Sequence, residues 1–212
     1  VIGAMEYAAS RKIQLLAHCN GDGAAEQFLN CAEKAAERFP IIRNLRFVMI
    51  HAQFVTPSQL ERAKGLGIIP SFFTAHSYYW GDTHIKNLGF ERASRMSPAK
   101  SALEMGIPFT FHQDSPVTEP DMLESVKCAV RRVTKSGVKL DEGIPVFEAI
   151  KGVTASAAYQ YGEETRKGTL EQGKNEDIVI MDKNPLEEEV SCLDAIKIAA
   201  TVKSGKRVYS AE

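Results

Sequence analysis

Three side chains of metal-ligating type stand directly after apolar runs of strand length: His18 in LLAHCNGD, His51 in VMIHAQ and Asp114 in FTFHQDSPV. Two imidazoles and a carboxylate suit a divalent ion such as zinc, which accepts nitrogen and oxygen ligands and can leave a position for water. Taken singly, a histidine after a strand is more often a hydrogen-bonded structural residue, and an aspartate before Ser115-Pro116 can simply form a turn. Their shared position sets these three apart. In a parallel α/β barrel all strands open their carboxyl ends on one face, so residues distant in sequence converge there. His112 lies two residues before Asp114 and points to the same side if the strand continues, where it could touch substrate or orient a ligand. His76 and Trp80, with Tyr78 and Tyr79 between them, read as an aromatic loop that either lines a substrate pocket or packs on the barrel rim. Asn20, Asp22 and Gln53 adjoin the candidate ligands and could fix imidazole tautomers, although Asp22 equally suits a helix cap. Arg92 and Arg95 could meet a substrate carboxylate or form surface ion pairs.

Four short apolar runs precede these groups, at residues 13–17, 47–50, 68–73 and 107–111. Each is unbroken and bounded by turn residues, as expected for strands buried on both faces of a parallel sheet. Helical patterns alternate with them. After His18, Asp22 can cap a helix whose apolar face is Ala25, Phe28, Leu29, Ala32 and Ala36, stopped by Pro40. After His51, Thr56 offers an N-cap with Pro57 at the first helical position, Gln59 closing a capping box and Gly67 near the exit. Ser97-Pro98 repeats that start and Gly106 that exit. Further helices are expected over 120–136 and 145–161. Beyond Gly162 the pattern changes to a strand at 177–182 and a hairpin of 196–203 with 207–209, joined by Ser204-Gly205-Lys206. The division is therefore 1–162, α/β and site-bearing, and 163–212, β-rich.

With 212 residues, 44% hydrophobic and 25% charged, the chain can bury a sizeable core. A net charge of -1 without basic or acidic blocks argues against nucleic acid or a membrane surface as partner, and for a small, roughly neutral substrate. Cys19, Cys31, Cys128 and Cys192 show no C-x-x-C pair, so reduced thiols in a cytoplasmic protein are expected. No run approaches the ~20 apolar residues of a membrane span. The VIGAMEYAASRK start lacks a signal-peptide pattern and runs straight into a helix, as a fragment would.

In order, the motifs HCNGD, IHAQ, GIIPSFFTAHSYYWGD, LGFERASRMSPAKSALEMGIPFTFHQDSPV, GTLEQGKNEDIVIMDKNPL and VKSGKRVY resemble the family-3 branch of the amidohydrolase superfamily, from about residue 10 onward. The resemblance implies an α/β fold, the C-terminal half of a (β/α)8 TIM-type barrel with strands 5–8, followed by strands of a small β-sandwich. It implies His18 as the fifth-strand ligand, His51 as the sixth-strand ligand and Asp114 as the eighth-strand aspartate, holding one or two divalent ions. The implied chemistry is hydrolysis of a C–N bond in a small amide, formamide or cyclic amide. There the ion lowers the pKa of water and polarises the carbonyl, and Asp114 relays the proton to the leaving nitrogen. The alternative is a non-catalytic relative that keeps the scaffold to bind a small molecule; the lack of a G-x-S-x-G elbow disfavours a cofactor-free hydrolase. The family's H-x-H pair and first four strands are not in this sequence. Half a barrel leaves two sheet edges open. The 212 residues alone are thus expected to be catalytically silent, possessing an incomplete metal site, and to associate as a homo-oligomer or with the missing N-terminal segment.

Overall fold

A computed structural model describes residues 1–211. It begins with helix α1 (Ile2–Arg11), whose end explains a shift in the first strand. Lys12 turns left-handed at the C-cap and Ile13 N–H donates back to the Ala8 carbonyl at 2.9 Å, so Ile13 still belongs to the helix end. Strand β1 therefore runs Leu16–Cys19 and not 13–17. Helix α2 (Asp22–Arg38) buries the expected alanine, phenylalanine and leucine face. Its N-cap, however, is Gly21, and Asp22 takes the first helical position, where its carboxylate accepts from Gly23 N–H. A 3-10 turn (Pro40–Asn44) then leads to strand β2 (Val48–His51).

Helix α3 (Pro57–Gly65) carries the expected capping box: Thr56 accepts from Gln59 N–H while Gln59 accepts from Thr56 N–H. Arg62 on α3 reaches Glu26 and Glu33 on α2 at 2.8 and 2.7 Å, lashing the two helices side by side. At the exit of α3, Gly67 has φ +65°, and a Cβ there would lie 2.2 Å from the Arg43 carbonyl oxygen. Only glycine combines that conformation with that close approach. Strand β3 (Ile69–Phe72) follows, then α4 (Ala75–Tyr79), α5 (Gly81–Leu88), α6 (Phe90–Ser94), α7 (Ala99–Glu104) and strand β4 (Thr110–Phe111). The segment of His76, Tyr78, Tyr79 and Trp80 is thus helix α4 and the joint to α5, not a loop. Ser97 does not repeat the role of Thr56, because it has φ +50° and its buried hydroxyl finds no partner.

Helix α8 (Met122–Arg131) is shorter than expected, stopping where Arg132 turns left-handed. Arg132 is fully buried among backbone oxygens, donating to the carbonyls of Asp141, Ser94 and Met96. The 145–161 pattern splits into α9 (Val146–Val153) and α10 (Ala155–Gln160). The break is at Thr154, whose hydroxyl donates back to the Ile150 carbonyl.

The first four strands form one parallel sheet in the order β1-β2-β3-β4, with the helices packed around them. Strands β5 (Ile178–Met181), β6 (Ile198–Lys203) and β7 (Lys206–Ser210) form a second, antiparallel sheet, with the expected hairpin between β6 and β7. A 3-10 segment (Val190–Ala195) joins β5 to β6 and buries Leu193 in the main core. Among the described residues, no helix is long and apolar enough to cross a membrane.

Candidate metal centre

The parallel register sets the geometry. His18 pairs with Ile50 and Cys19 with His51, so the two histidines emerge at neighbouring strand ends with ring centroids 4.5 Å apart. His51 closes β2 and has φ +70°, and Ala52 follows at φ +45°. Two consecutive left-handed residues without glycine are uncommon and strained, a cost that marks functional sites when surrounding structure enforces it. Asp114 shows the same feature at φ +53°. Its turn is made by the backbone, Val117 N–H donating to the Asp114 carbonyl at 2.8 Å, which leaves the carboxylate to face the imidazoles.

His112 extends the β4 ladder by one residue, its N–H donating to the Phe72 carbonyl. Its Nε2 lies 3.3 Å from His51 Nδ1 and its Nδ1 lies 3.1 Å from the Ser71 hydroxyl. His51, His112 and Asp114 each offer a donor atom within 4.8 Å of the others. The structure therefore centres the group on His51 and Asp114 with His112. His18 stands beside it against the His51 ring and outside that tight set.

A second arm extends from His51. His76 stacks toward it at 6.1 Å, and His84 follows at 6.0 Å from His76. All five histidines of the chain thus fall in one connected cluster. Trp80 stands edge-on to His76 at 5.1 Å. The side-chain nitrogen of Gln53 sits 3.1 Å from His84 Nε2, so it orients His84 and not a strand-end ligand. Asp22 pairs with Arg92 at 2.8 Å on the surface, which is the ion-pair alternative for Arg92 and neither of the two roles expected of Asp22. Tyr78 and Tyr79 line a separate cavity of about 460 Å³ with Glu124, Lys127 and Arg131, and no histidine reaches it. His84 and Ser71 were not foreseen. Ser71 had a signal, as a polar residue in the middle of an apolar strand; His84 had none, since its approach depends on the α4–α5 turn.

Burial governs the protonation of the cluster. It holds the imidazoles of His76 and His112 down at about 4, helped in His76 by His84 and in His112 by His51. Burial also lowers His51, against the pull of Asp114, and lowers His84. Neutral imidazoles are the ligand form, since a metal must otherwise displace the proton. Three buried polar atoms lining this region, Asn20 Oδ1, Gln53 Oε1 and His76 Nδ1, have no hydrogen-bond partner. Buried polar atoms are normally paired, so these fit a site that receives further groups. Neutral nitrogen donors, a carboxylate and unpaired polar atoms together fit a divalent ion.

The four-stranded parallel sheet, with polar side chains at its carboxyl ends, corresponds to part of a TIM-type barrel. A family model described as the amidohydrolase family matches residues 4–209, and the chain belongs to that family. It is 30% identical over 201 residues to the Arabidopsis thaliana protein Long After Far-Red 3, covering 93% of this chain and 34% of that one. It is 24% identical over 200 residues to an N-substituted formamide deformylase of Arthrobacter pascens, covering 93% of this chain and 36% of the relative. Among solved structures, a metal-dependent hydrolase from Pyrococcus horikoshii aligns with a TM-score of 0.75 and 26% identity, over 90% of this chain and 38% of the other. The chain spans little more than a third of the length of these relatives.

Proposed function

We propose that this chain is the metal-site portion of a hydrolase that cleaves a C–N bond in a small amide, formamide or cyclic amide. The observation that carries this reading is the convergence of His51, His112 and Asp114 donor atoms at the carboxyl ends of parallel strands. The formamide deformylase relative supports the bond type. His51 and Asp114, with His18 alongside, would hold the ion. A bound divalent ion would acidify water and polarise the scissile carbonyl.

The chain's own groups supply the rest. Asp114 is exposed at the mouth of the cluster, so one carboxylate oxygen can take a proton from the attacking water and deliver it to the leaving nitrogen. His76 and Trp80 form an adjacent wall, apolar on the indole face and polar at the unpaired Nδ1 of His76. That pairing suits a substrate with an apolar substituent next to an amide. Turnover of N-substituted formamides and cyclic amides by the full-length protein is the test. Activity should stop on chelation and return with a divalent ion, and Asp114→Asn should lose about 10²–10⁴ in kcat. Undiminished turnover in Asp114→Asn, or indifference to chelation, would overturn the proposal.

A second reading is a small-molecule binder without turnover. The exposed Asp114 and the His76–Trp80 wall would serve binding alone as well as turnover. This reading predicts ligand-induced stabilisation with neither bound metal nor turnover.

A further inference from the structure

His112 is held from both ring nitrogens, by His51 on one side and Ser71 on the other. Its Nε2 and His51 Nδ1 face one another at 3.3 Å. That separation suits a hydrogen bond between two imidazoles, and it also matches two nitrogens on a tetrahedral ion with bonds of 2.0–2.1 Å, which lie about 3.3–3.4 Å apart. Between the two nitrogens sits either the N–H proton of one imidazole or a cation that displaces it. Asp114 offers an oxygen within 4.8 Å of both, and a carboxylate favours the cation.

The other side of the ring is also arranged. Ser71 is buried on β3, and its hydroxyl lies 3.1 Å from His112 Nδ1. If Nδ1–H donates to Ser71 Oγ, the His112 Nε2 lone pair is directed at the group. This is the usual way in which a partner on one ring nitrogen fixes the other for a metal. Phe73 stacks on the same ring at 5.6 Å and 28°, holding its plane. The backbone bond from His112 N–H to Phe72 fixes its height above the strand ends.

We propose that His112 is itself a metal ligand, binding through Nε2 beside His51 and Asp114, with Ser71 as the positioning residue that sets its tautomer. The inference rests on the metal-site reading above and adds a nitrogen to it.

Metal affinity and coordination of the full-length protein test it, with Co(II) as spectroscopic probe and Zn(II) for X-ray absorption. His112→Phe keeps an aromatic ring on Phe73 and should weaken Zn(II) binding by more than about a hundredfold, the upper range for loss of an outer partner. The imidazole count should fall and the Co(II) visible bands should shift. Ser71→Ala should weaken binding roughly tenfold with the imidazole count unchanged. Thermal melts of both variants in chelator establish that they fold, and His112→Gln repeats the test if His112→Phe does not. Wild-type affinity with an unaltered Co(II) spectrum in a folded His112 variant would overturn His112 as a ligand and leave the metal site standing. A wild-type protein that binds neither ion would overturn both.

Discussion

At the residue scale, the chemistry lies in neutral histidines held by burial. His76 illustrates the thermodynamic consequence. An ordinary histidine gains its proton near pH 6.5, but in the fold His76 does so only at about 4. Between these values the unfolded chain binds more protons than the folded one. Stability is therefore complete above about pH 6.5 and is lost as the pH falls toward 4. With chelator present, the melting temperature should drop between pH 7 and pH 5, and drop less in His76→Phe. Parallel curves for the two proteins would show that His76 does not carry the effect. Much of this scale was legible beforehand. His18, His51 and Asp114 announced themselves by following apolar runs; His51 and Asp114 fall in the tight group, with His18 beside it against the His51 ring. The joining of His112 to the tight set was legible only as a parity argument, two positions before Asp114. The left-handed backbone at His51, Ala52 and Asp114 was not legible, because none is glycine and no local rule places them there.

At the element scale, helix positions followed from capping and periodicity where those signals were local. The Thr56-Pro57-Gln59 box and the apolar face of α2 are both present as read. The failures have tertiary causes. Helix α8 ends at Arg132 because a buried guanidinium gathers three carbonyls, and nothing in the neighbouring sequence states where those carbonyls are. This arginine ties the 94–96 segment to the end of α8, and the next residue, Ser97, holds Gln53 by a 2.7 Å bond from its N–H to the Gln53 carbonyl. Arg132→Ala would leave the buried carbonyls of Ser94 and Met96 without this donor, each costing about 1–3 kcal/mol, while the Asp141 carbonyl is only part-buried. We expect a loss of roughly 3 kcal/mol or more, measured as a lower urea midpoint. A midpoint within error of the parent would mean that water replaces the guanidinium without penalty. The aromatic segment after β3 was misread for a similar reason. Its tyrosines and tryptophan suggested a loop, but His76 N–H and Trp80 N–H both bond back along the chain and wind α4.

At the scale of the whole molecule, the sheet is four parallel strands with β1 and β4 at its two edges. Ile13 and Leu16 at the β1 edge are 51% and 42% exposed, and Val179 and Ile180 on β5 are 51% and 46% exposed, so apolar surface and open strand edges coincide. Such edges favour pairing with another chain or segment. The 212 residues expressed alone are expected to self-associate, so light scattering after size exclusion should give a mass above that of one copy. A sharp monomer at every concentration would refute this. The α/β class was readable from alternating patterns, and the family, with the strand order it implies, from motifs spread over most of the chain. The edges followed from counting strands.

Metal content tests the central claim most directly. Full-length protein purified without chelator should carry about one or two divalent ions per chain, as zinc-type hydrolase sites do. The His51→Ala variant, confirmed as folded by its melt, should lose most of this metal. Equal metal content in the two proteins, or negligible metal in both after incubation with zinc, would contradict the assignment of this histidine and aspartate cluster as a metal centre.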